Sequence, residues 1–560
     1  MPGTNRRAEG SEGTAVAGLS SGSLGGAMWE WARRNGDRVA LWDDAGAVSY
    51  GALARRADAL AVVLREVGIG RGDRVLMQLP NGWELVVGML AVQRAGAAAI
   101  PALMGHRLHD LTRIAETAGV AAVFTVDAHQ GHDHRGDAHR LAAGRPVFVA
   151  GEDVGAADID LRRACDHRVE EADRVRADLD RHDPDVDEDA VILLSGGTTG
   201  RPKLVPHTHR DYRHAFRACA AASGVDAATV YLAALPVAHN FSLASPGILG
   251  VLDAGGTVVL GRSPSPEAAF AAIARHGVTM SALVPAVARR WAEHARSSAA
   301  ASAAVASLRL LQLGGAVTPP DLAAEVEGAL GVTVQQVYGM SEGPVCMTAP
   351  DDPPEFRYHT QGLPVTGDEI RLLDTAGREA DAGTVGEVVT RGPSLVRGYL
   401  GAADDSAFTA DGWYHTGDLA RRRADGRIEI AGRIKDLVNR GGEKISVVEV
   451  ETVLYGLPGI AAAAVVSLPH PDLGECIAAA VVPAAGTAVD LPRVRKFFAD
   501  TGVAAHKTPD ALFVVDDIPR TGMGKVDRPT LRDRLTAARS APNDNAKDGV
   551  RACGTVGAEL

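Results

Sequence analysis

The stretch "LLSGGTTGRPKLV" (193–205) gathers three hydroxyls, three glycines and a lysine directly after an apolar run. Glycine exposes backbone N–H groups and permits φ > 0, while Ser195, Thr198 and Thr199 add short donors. With Gly196, Gly197, Gly200 and Lys203 the stretch suits a concave cradle for phosphate oxygens, although a flexible surface turn has the same composition. A P-loop needs Gly-Lys-Ser/Thr opening a helix. Here Gly200 is followed by Arg201-Pro202-Lys203 and the apolar pair Leu204-Val205, so the loop is expected to join two strands. In "YHTGDL" the short carboxylate of Asp418 can accept two hydrogen bonds from a vicinal diol, or close an Asx-turn. "VYGMSEGPV" sets Tyr338 and Glu342 beside glycines; the glutamate suits Mg²⁺, and equally a helix cap or salt bridge. In "AGRIKDLVNRGGEKI" the charges Arg433, Lys435 and Asp436 alternate direction at a strand end, as a charged connector also would. Lys525 in "RTGMGKVDR" stands on a glycine-flanked loop that lets it swing, where a lone exposed lysine is ordinarily just solvated. A phosphate cradle, a diol acceptor, a metal carboxylate and a mobile lysine together are what binding and activating ATP would require.

Alternating elements must carry these residues. "MWEWARRNGDRVALWDDAGAVSYGALARRADALAVVLREVG" reads as two helices around a strand-turn-strand with "DDAG" at its tip. "DRVLMQLP" reads as a buried strand, and "WELVVGMLAVQRAG" as a helix ending at a glycine. "AAAIPALMG" and "AAVFTVD" are further strands, and the pattern resumes at "AVILL" and runs to "LRLLQLGG". Strands alternating with helices imply parallel sheets covered on both faces. Between about 125 and 185 the chain is rich in Asp, Arg and His and low in apolar residues, which predicts a solvated loop and not a metal site. After Gly362 the periodicity becomes strand-rich, and from about 436 a small α+β unit follows, with Asp527 as the expected N-cap of its last helix.

The 560 residues exceed one core and suggest roughly three to four domains or subdomains. The hydrophobic content of 46% is that of a globular protein, and a formal net charge of -12 argues against a nucleic-acid partner. Five scattered cysteines without a CxxC pair indicate neither a disulfide framework nor a zinc site and suit a reducing cytoplasm. No apolar run approaches the ~18 residues of a membrane span. Residues 1–25 read as a disordered leader and 541–560 as a matching tail.

The ordered set "LLSGGTTGRPKLV", "PVAHNFSLASPG", "LQLGGA", "VYGMSEG", "YHTGDL", "GRIKD", "NRGGEKI" and "PRTGMGKVDR" resembles the adenylate-forming superfamily of acyl-CoA synthetases, nonribosomal adenylation domains and luciferases. The likeness covers roughly residues 28 to 540. Within the superfamily the chain is most similar to the stand-alone aryl-acid ligases, through "SGGTTGRPKLVPHTHRDY", "HNFSLASPG" and "NRGGEK". The resemblance implies an α/β fold. A large multi-subdomain N-terminal core (26–434), with parallel-rich sheets and a β-subdomain, would precede a small mobile α+β lid (435–540) hinged at Lys435. It implies two half-reactions: a carboxylate and MgATP give an acyl adenylate and pyrophosphate, and then a thiol takes the acyl group. By the same analogy Ser195, Gly196, Gly197, Thr198, Thr199, Gly200 and Lys203 surround the phosphates, and Glu342 holds Mg²⁺. Gly314, Gly315, Ala316, Tyr338 and Gly339 flank adenine, and Asp418 and Arg433 bind the ribose. Lys525, with Glu342 and His239, belongs to the catalytic set, and Gly441, Gly442 and Lys444 line the thiol channel after the lid turns.

For the acid, the resemblance places Asn240 at the ring's ortho hydroxyl, Phe241 and Val345 in the apolar wall, and Ser245 where serine accompanies 2,3-dihydroxybenzoate and cysteine salicylate. Asn240 capping a turn and Ser245 starting a helix are the structural alternatives. Where the dihydroxybenzoate enzymes read Glu-Gly-Leu-Val-Asn-Tyr, this chain has Glu342-Gly343-Pro344-Val345-Cys346-Met347, and Val317 stands where a basic residue is usual. These departures leave salicylate, 3-hydroxypicolinate and an aminobenzoate open beside 2,3-dihydroxybenzoate. The thiol implied is the phosphopantetheine of an aryl carrier protein in siderophore or nonribosomal peptide assembly, with free CoA as the alternative. A silent protein that binds an aryl adenylate or nucleotide would be expected to have lost part of the set Lys525, Glu342, Asp418 and the loop, and all are present.

Overall fold

"DRVLMQLP" contains a strand, Arg74–Met77, because its apolar run is buried on both faces of a parallel sheet, and the helix Trp83–Arg94 that follows covers it. The computed structural model describes residues 22–166, 172–195, 203–401, 406–441, 443–522, 524–540 and 550–555. Among these residues the strands form sheets of nine, seven, four and six strands and one two-stranded hairpin.

The nine- and seven-stranded sheets are mostly parallel, with helices between their strands, as the alternating pattern requires. Their antiparallel additions lie at the margins, among them Lys203–Thr208 against Asp189–Ser195 and Val345–Met347 against Thr333–Gly339. The four-stranded sheet is wholly antiparallel and spans Glu369–Leu373 to Ile428–Arg433, matching the strand-rich periodicity after Gly362. The six-stranded sheet begins at Leu437–Arg440, and the short turn Ile434–Asp436, with Lys435 exposed, is the passage between the two. Asp527 caps the helix Arg528–Ser540, accepting from Thr530 N–H at 3.2 Å.

Three expectations are corrected. The leader was drawn to residue 25, but a helix occupies Leu24–Asn35. Ser23 Oγ caps it, accepting from Gly26 N–H at 2.9 Å and donating to Asp183 Oδ1 at 2.6 Å, and Leu24 N–H donates to His209 Nδ1 at 3.1 Å. Gly25 looks like low-complexity sequence, yet a Cβ there would stand 2.7 Å from Arg94 Cα, so glycine is what lets the helices touch. The tail was drawn from 541, but Val550–Thr555 adds an antiparallel strand to Ala511–Val515. The segment from 125 to 185 is not one solvated loop: it supplies the strands Val147–Val149 and Ile159–Asp160 and the helices His134–Ala142 and Ala172–Asp180.

The charges of that segment are partners for one another and for the core. Arg94, wholly buried, pairs with Asp58 at 3.0 Å, with Asp180, and with Asp183 at 3.4 Å, and so binds the acidic run to the helical layer. His132 and His139 meet Asp137 and Asp158 at 2.8 and 2.6 Å, and His134 Nδ1 meets Gln78 Oε1 at 3.1 Å. Among the described residues no three His, Cys, Asp or Glu side chains cluster as the ligand set of a metal ion. Cys165, Cys219, Cys346 and Cys476 are free and buried. No described helix is long and apolar enough to cross a membrane.

Burial pushes the His209 imidazole from 6.5 down to about 4, and His134 likewise. The unfolded chain then binds more protons than the folded one between these values, so the stability these neutral rings contribute is complete above about pH 6.5 and is lost as pH falls towards 4. His209→Asn keeps an acceptor for the Leu24 N–H and cannot titrate. Its urea midpoint should fall less between about pH 7 and pH 4.5 than that of the unchanged chain; equal slopes would contradict the assignment.

Candidate active site

The loop "SGGTTGRP" is the tip of a β-hairpin. Ser195 pairs across it with Lys203, so a strand and not a helix follows the loop, as the failed P-loop pattern implied. Gly196, Gly197, Thr198, Thr199 and Gly200 lie outside the described residues. At the loop end of the hairpin the Lys203 ammonium stands 3.9 Å from the centre of the Tyr399 ring, a cation–π contact. The Tyr399 hydroxyl donates to Glu342 Oε1 at 2.9 Å and lies 2.9 Å from the Tyr414 hydroxyl, with Phe408 edge-on to the Tyr399 ring and tilted against the Tyr414 ring. Glu342 and Tyr399 are both buried. Burial, and next the Glu342 charge, push the Tyr414 phenol far up, which keeps it a hydrogen-bond donor. Among the described residues Glu342 is neither a helix cap nor half of a salt bridge. A carboxylate offers about four lone-pair sites, so oxygens held by tyrosine hydroxyls still fit Mg²⁺, which takes one or two carboxylates together with phosphate oxygens.

Asp418 and Arg433 are directly opposed across strands Tyr414–Arg422 and Ile428–Arg433. Arg433 Nε stands 2.6 Å from Asp418 Oδ1, and the Tyr338 hydroxyl donates to Oδ2 at 2.8 Å. Asp418 is therefore a buried acceptor fixed on two sides; burial raises its pKa, opposed by Arg433 and Tyr338. Tyr338 and Gly339 end one parallel strand and Gly314 ends its neighbour, so both reach the carboxyl edge of the nine-stranded sheet, where open α/β sheets place ligands. Gly314 admits no side chain: a Cβ would stand 2.8 Å from Phe241 Cζ.

Lys525 comes to this edge from the six-stranded unit. Its loop is closed by Thr521 N–H donating to the Lys525 carbonyl and Gly524 N–H to the Thr521 carbonyl, both at 2.8 Å. A Cβ on Gly315 would lie 3.4 Å from Lys525 Cε, and one on Gly524 would lie 3.2 Å from Val284 Cγ2. Lys525 is thus half-buried against the core and not the solvated surface lysine that was the alternative reading. Burial lowers its pKa, the Arg433 charge lowers it further, and Asp418 and Glu342 oppose both. Burial and the Lys525 charge also push His239 down to about 3. His239 Nδ1 accepts from Phe241 N–H at 3.2 Å and caps the helix Asn240–Ala244, so the neutral ring carries its proton on Nε2. Asn240 therefore does not cap; its Oδ1 accepts from the Tyr212 hydroxyl at 2.8 Å. Ser245, buried, ends this helix instead of starting the next, Gly247–Asp253. Val345 is buried one residue beyond Pro344 and opposite Gly339.

The structure thus brings together Lys203, Glu342, Tyr338, Asp418, Arg433, His239 and Lys525. It does not bring Gly441 and Lys444 there. They lie at the exposed tip of the hairpin Leu437–Arg440/Glu443–Ser446, and Gly442 lies outside the described residues. Tyr399, Tyr414 and Tyr212 were missed. The available signal was scarcity: the chain has eight tyrosines, and four of them, these three and Tyr338, hold the polar groups of this region.

The AMP-binding enzyme family matches residues 28–400, and the AMP-binding enzyme C-terminal domain matches residues 449–525. A Streptomyces salicylyl-CoA synthase / salicylate adenylyltransferase is 45% identical over 517 residues, 91% of this chain and 93% of its own. A Mycobacterium tuberculosis salicyl-AMP ligase / salicyl-S-ArCP synthetase is 40% identical over 93% of both chains. The apo structure of Mycobacterium smegmatis MbtA superposes with a TM-score of 0.68 at 41% identity, covering 92% of this chain and 95% of that one.

Tyr399→Phe removes a hydroxyl that donates to Glu342 and takes a hydrogen-bond partner from the buried Tyr414 hydroxyl. It should cost on the order of 1–2 kcal/mol in urea unfolding and raise the Mg²⁺ concentration needed for half-maximal nucleotide turnover several-fold. Unchanged stability and unchanged Mg²⁺ dependence would show that Tyr399 does not set the position of Glu342.

Proposed function

The chain belongs to the AMP-binding enzyme family, and we propose that within it this protein adenylates an ortho-hydroxyaryl carboxylic acid, 2,3-dihydroxybenzoate or salicylate, and passes the aryl group to a pantetheine thiol. The observation that carries the reading is Lys525 lodged against Gly315, within the electrostatic reach of Asp418, Arg433 and Glu342, with Phe241 against the neighbouring Gly314.

A carboxylate is a weak nucleophile, so the enzyme must hold it in line with the α-phosphorus of ATP and stabilise the charge that grows on five-coordinate phosphorus. Lys525 is the cation for that charge. Its lowered pKa reflects a site where an ammonium is poorly solvated, so an anionic oxygen there gains more than it would in water. Asp418 accepts from the ribose hydroxyls, and Arg433 keeps it ionised and oriented. The backbones at 314–316 and 338–339 flank adenine. Lys203 and Ser195, the last ladder pair before the loop, adjoin the phosphates, and Gly196, Gly197, Thr198, Thr199 and Gly200 complete the phosphate-binding set we assign. Mg²⁺ on Glu342 would neutralise phosphate charge. Neutral His239 donates from Nε2 without adding a second charge beside Lys525.

The second half-reaction needs Lys525 withdrawn and the 441–444 hairpin brought in, and Lys435, between the two sheets, is the hinge we assign. The acceptor is a carrier-protein phosphopantetheine, in keeping with the mycobacterial relative's name. Free CoA is the second reading, favoured by the name of the Streptomyces relative. Four buried free cysteines support a reducing compartment, the cytoplasm.

Acid-dependent exchange of labelled pyrophosphate into ATP tests the reading, with salicylate, 2,3-dihydroxybenzoate, 3-hydroxybenzoate, benzoate and a fatty acid. Exchange should require the ortho hydroxyl, and a signal from the fatty acid alone would overturn it. Thioester formation with holo carrier protein against CoA separates the acceptors. Lys525→Ala should lower exchange by about two decades, roughly 3 kcal/mol of transition-state stabilisation, yet still release aryl thioester from synthetic aryl-AMP; an equal loss in both steps would contradict its role.

A further inference from the structure

Tyr212 lies on the helix His209–Ala222, whose start is fixed by a capping box between Thr208 and Asp211. Its ring is buried, 5.0 Å from His207 and edge-on to Phe216, and His207 is itself held by Asp211 at 2.7 Å and by the Ser341 carbonyl at 2.6 Å. The phenol therefore cannot turn elsewhere, and among the described residues its hydrogen has one acceptor, Asn240 Oδ1. Turning the Asn240 amide over would point Nδ2–H at the phenol oxygen and leave the buried phenol hydrogen unpaired, which is the costlier arrangement. The amide is thus held with its oxygen on Tyr212 and its two hydrogens on the opposite side. Asn240 is half-buried, and among the described residues nothing accepts from Nδ2.

We propose that Tyr212 is a positioning residue that fixes the hydrogen-bonding sense of Asn240, so that the site selects an ortho substituent that accepts a hydrogen bond and rejects one that presents a hydrogen. This rests on the aryl-acid reading above and narrows it. In an ortho-hydroxybenzoate the hydroxyl hydrogen turns to the acid's own carboxylate, and the oxygen lone pairs face outward to accept Nδ2–H. In an ortho-aminobenzoate one hydrogen does the same and the second faces outward, donor against donor. The aminobenzoates, open on the sequence alone, are excluded by this arrangement, and the hydroxy acids are kept.

The test is kcat/KM for pyrophosphate exchange with salicylate and with anthranilate in the full chain, Tyr212→Phe and Asn240→Asp. The unchanged enzyme should favour salicylate by on the order of 10- to 100-fold. Tyr212→Phe frees the amide to rotate and should shrink that ratio by about 10-fold, mainly by gain on anthranilate. Asn240→Asp, which only accepts, should bring the ratio to one or below although overall rates fall, and it stands in if the Tyr212 variant fails to fold. Comparable use of both acids by the unchanged enzyme would overturn the proposal. A ratio that Tyr212→Phe leaves intact while Asn240→Asp moves it would overturn the role of Tyr212. Exchange with neither acid, but with acids lacking an ortho group, would instead defeat the aryl-acid reading beneath it.

Discussion

Two like charges, Lys525 and Arg433, share one half-enclosed site, and the arrangement is tolerable only because Asp418 and Glu342 stand opposite them. With Lys203 the site holds three cations and two carboxylates, a local positive excess within a chain of net charge -12. The anionic nucleotide proposed for this site would complete the balance, so the field that gathers it would be local and not global. The remaining features follow from keeping these groups apart and fixed. Tyr338 and Tyr399 each hold one carboxylate in place without adding charge, and Tyr414 joins the Tyr399 hydroxyl. His239 stays neutral because burial and Lys525 both oppose its protonation. The loop 521–525 reaches the site only where Gly315 and Val284 leave room for it.

The hairpin Asp189–Ser195/Lys203–Thr208, to whose loop we assign the phosphates, also reaches the proposed aryl subsite. His207, on its second strand, bonds the Ser341 carbonyl next to Glu342 and packs on Tyr212, which in turn orients Asn240. In the proposed reading one hairpin carries both the nucleotide and the acid subsite, so the same two strands set their spacing. That suits a reaction whose first step needs the carboxylate in line with the α-phosphorus to within a fraction of an ångström.

The alternating fold and the strand ends that carry Gly314, Tyr338, Asp418 and Arg433 were legible in the sequence, because motifs and periodicity coincide there. The hidden parts have a common cause. The helix at Leu24 was masked by small residues whose use is close packing against Arg94, and the strand Val550–Thr555 by a polar context. The segment around Asp180 and Asp183 looked solvated because its partner, Arg94, is 86 residues or more away in sequence. Tyr212, Tyr399 and Tyr414 escaped notice since single tyrosines carry no spacing signal. The burial of Lys525 was invisible for a related reason: a glycine-flanked lysine reads as exposed until another part of the chain covers it.

The central claim is that Lys525, Asp418 and Asn240 close on one small molecule. A crystal structure with a non-hydrolysable salicyl-sulfamoyl adenosine tests it most directly. The account expects the ribose hydroxyls on Asp418, the ring hydroxyl at Asn240 Nδ2, and Lys525 Nζ within about 3 Å of the oxygens of the linker. A ligand bound with Lys525 remote from the linker, or with its ring away from Asn240 and Phe241, would contradict it.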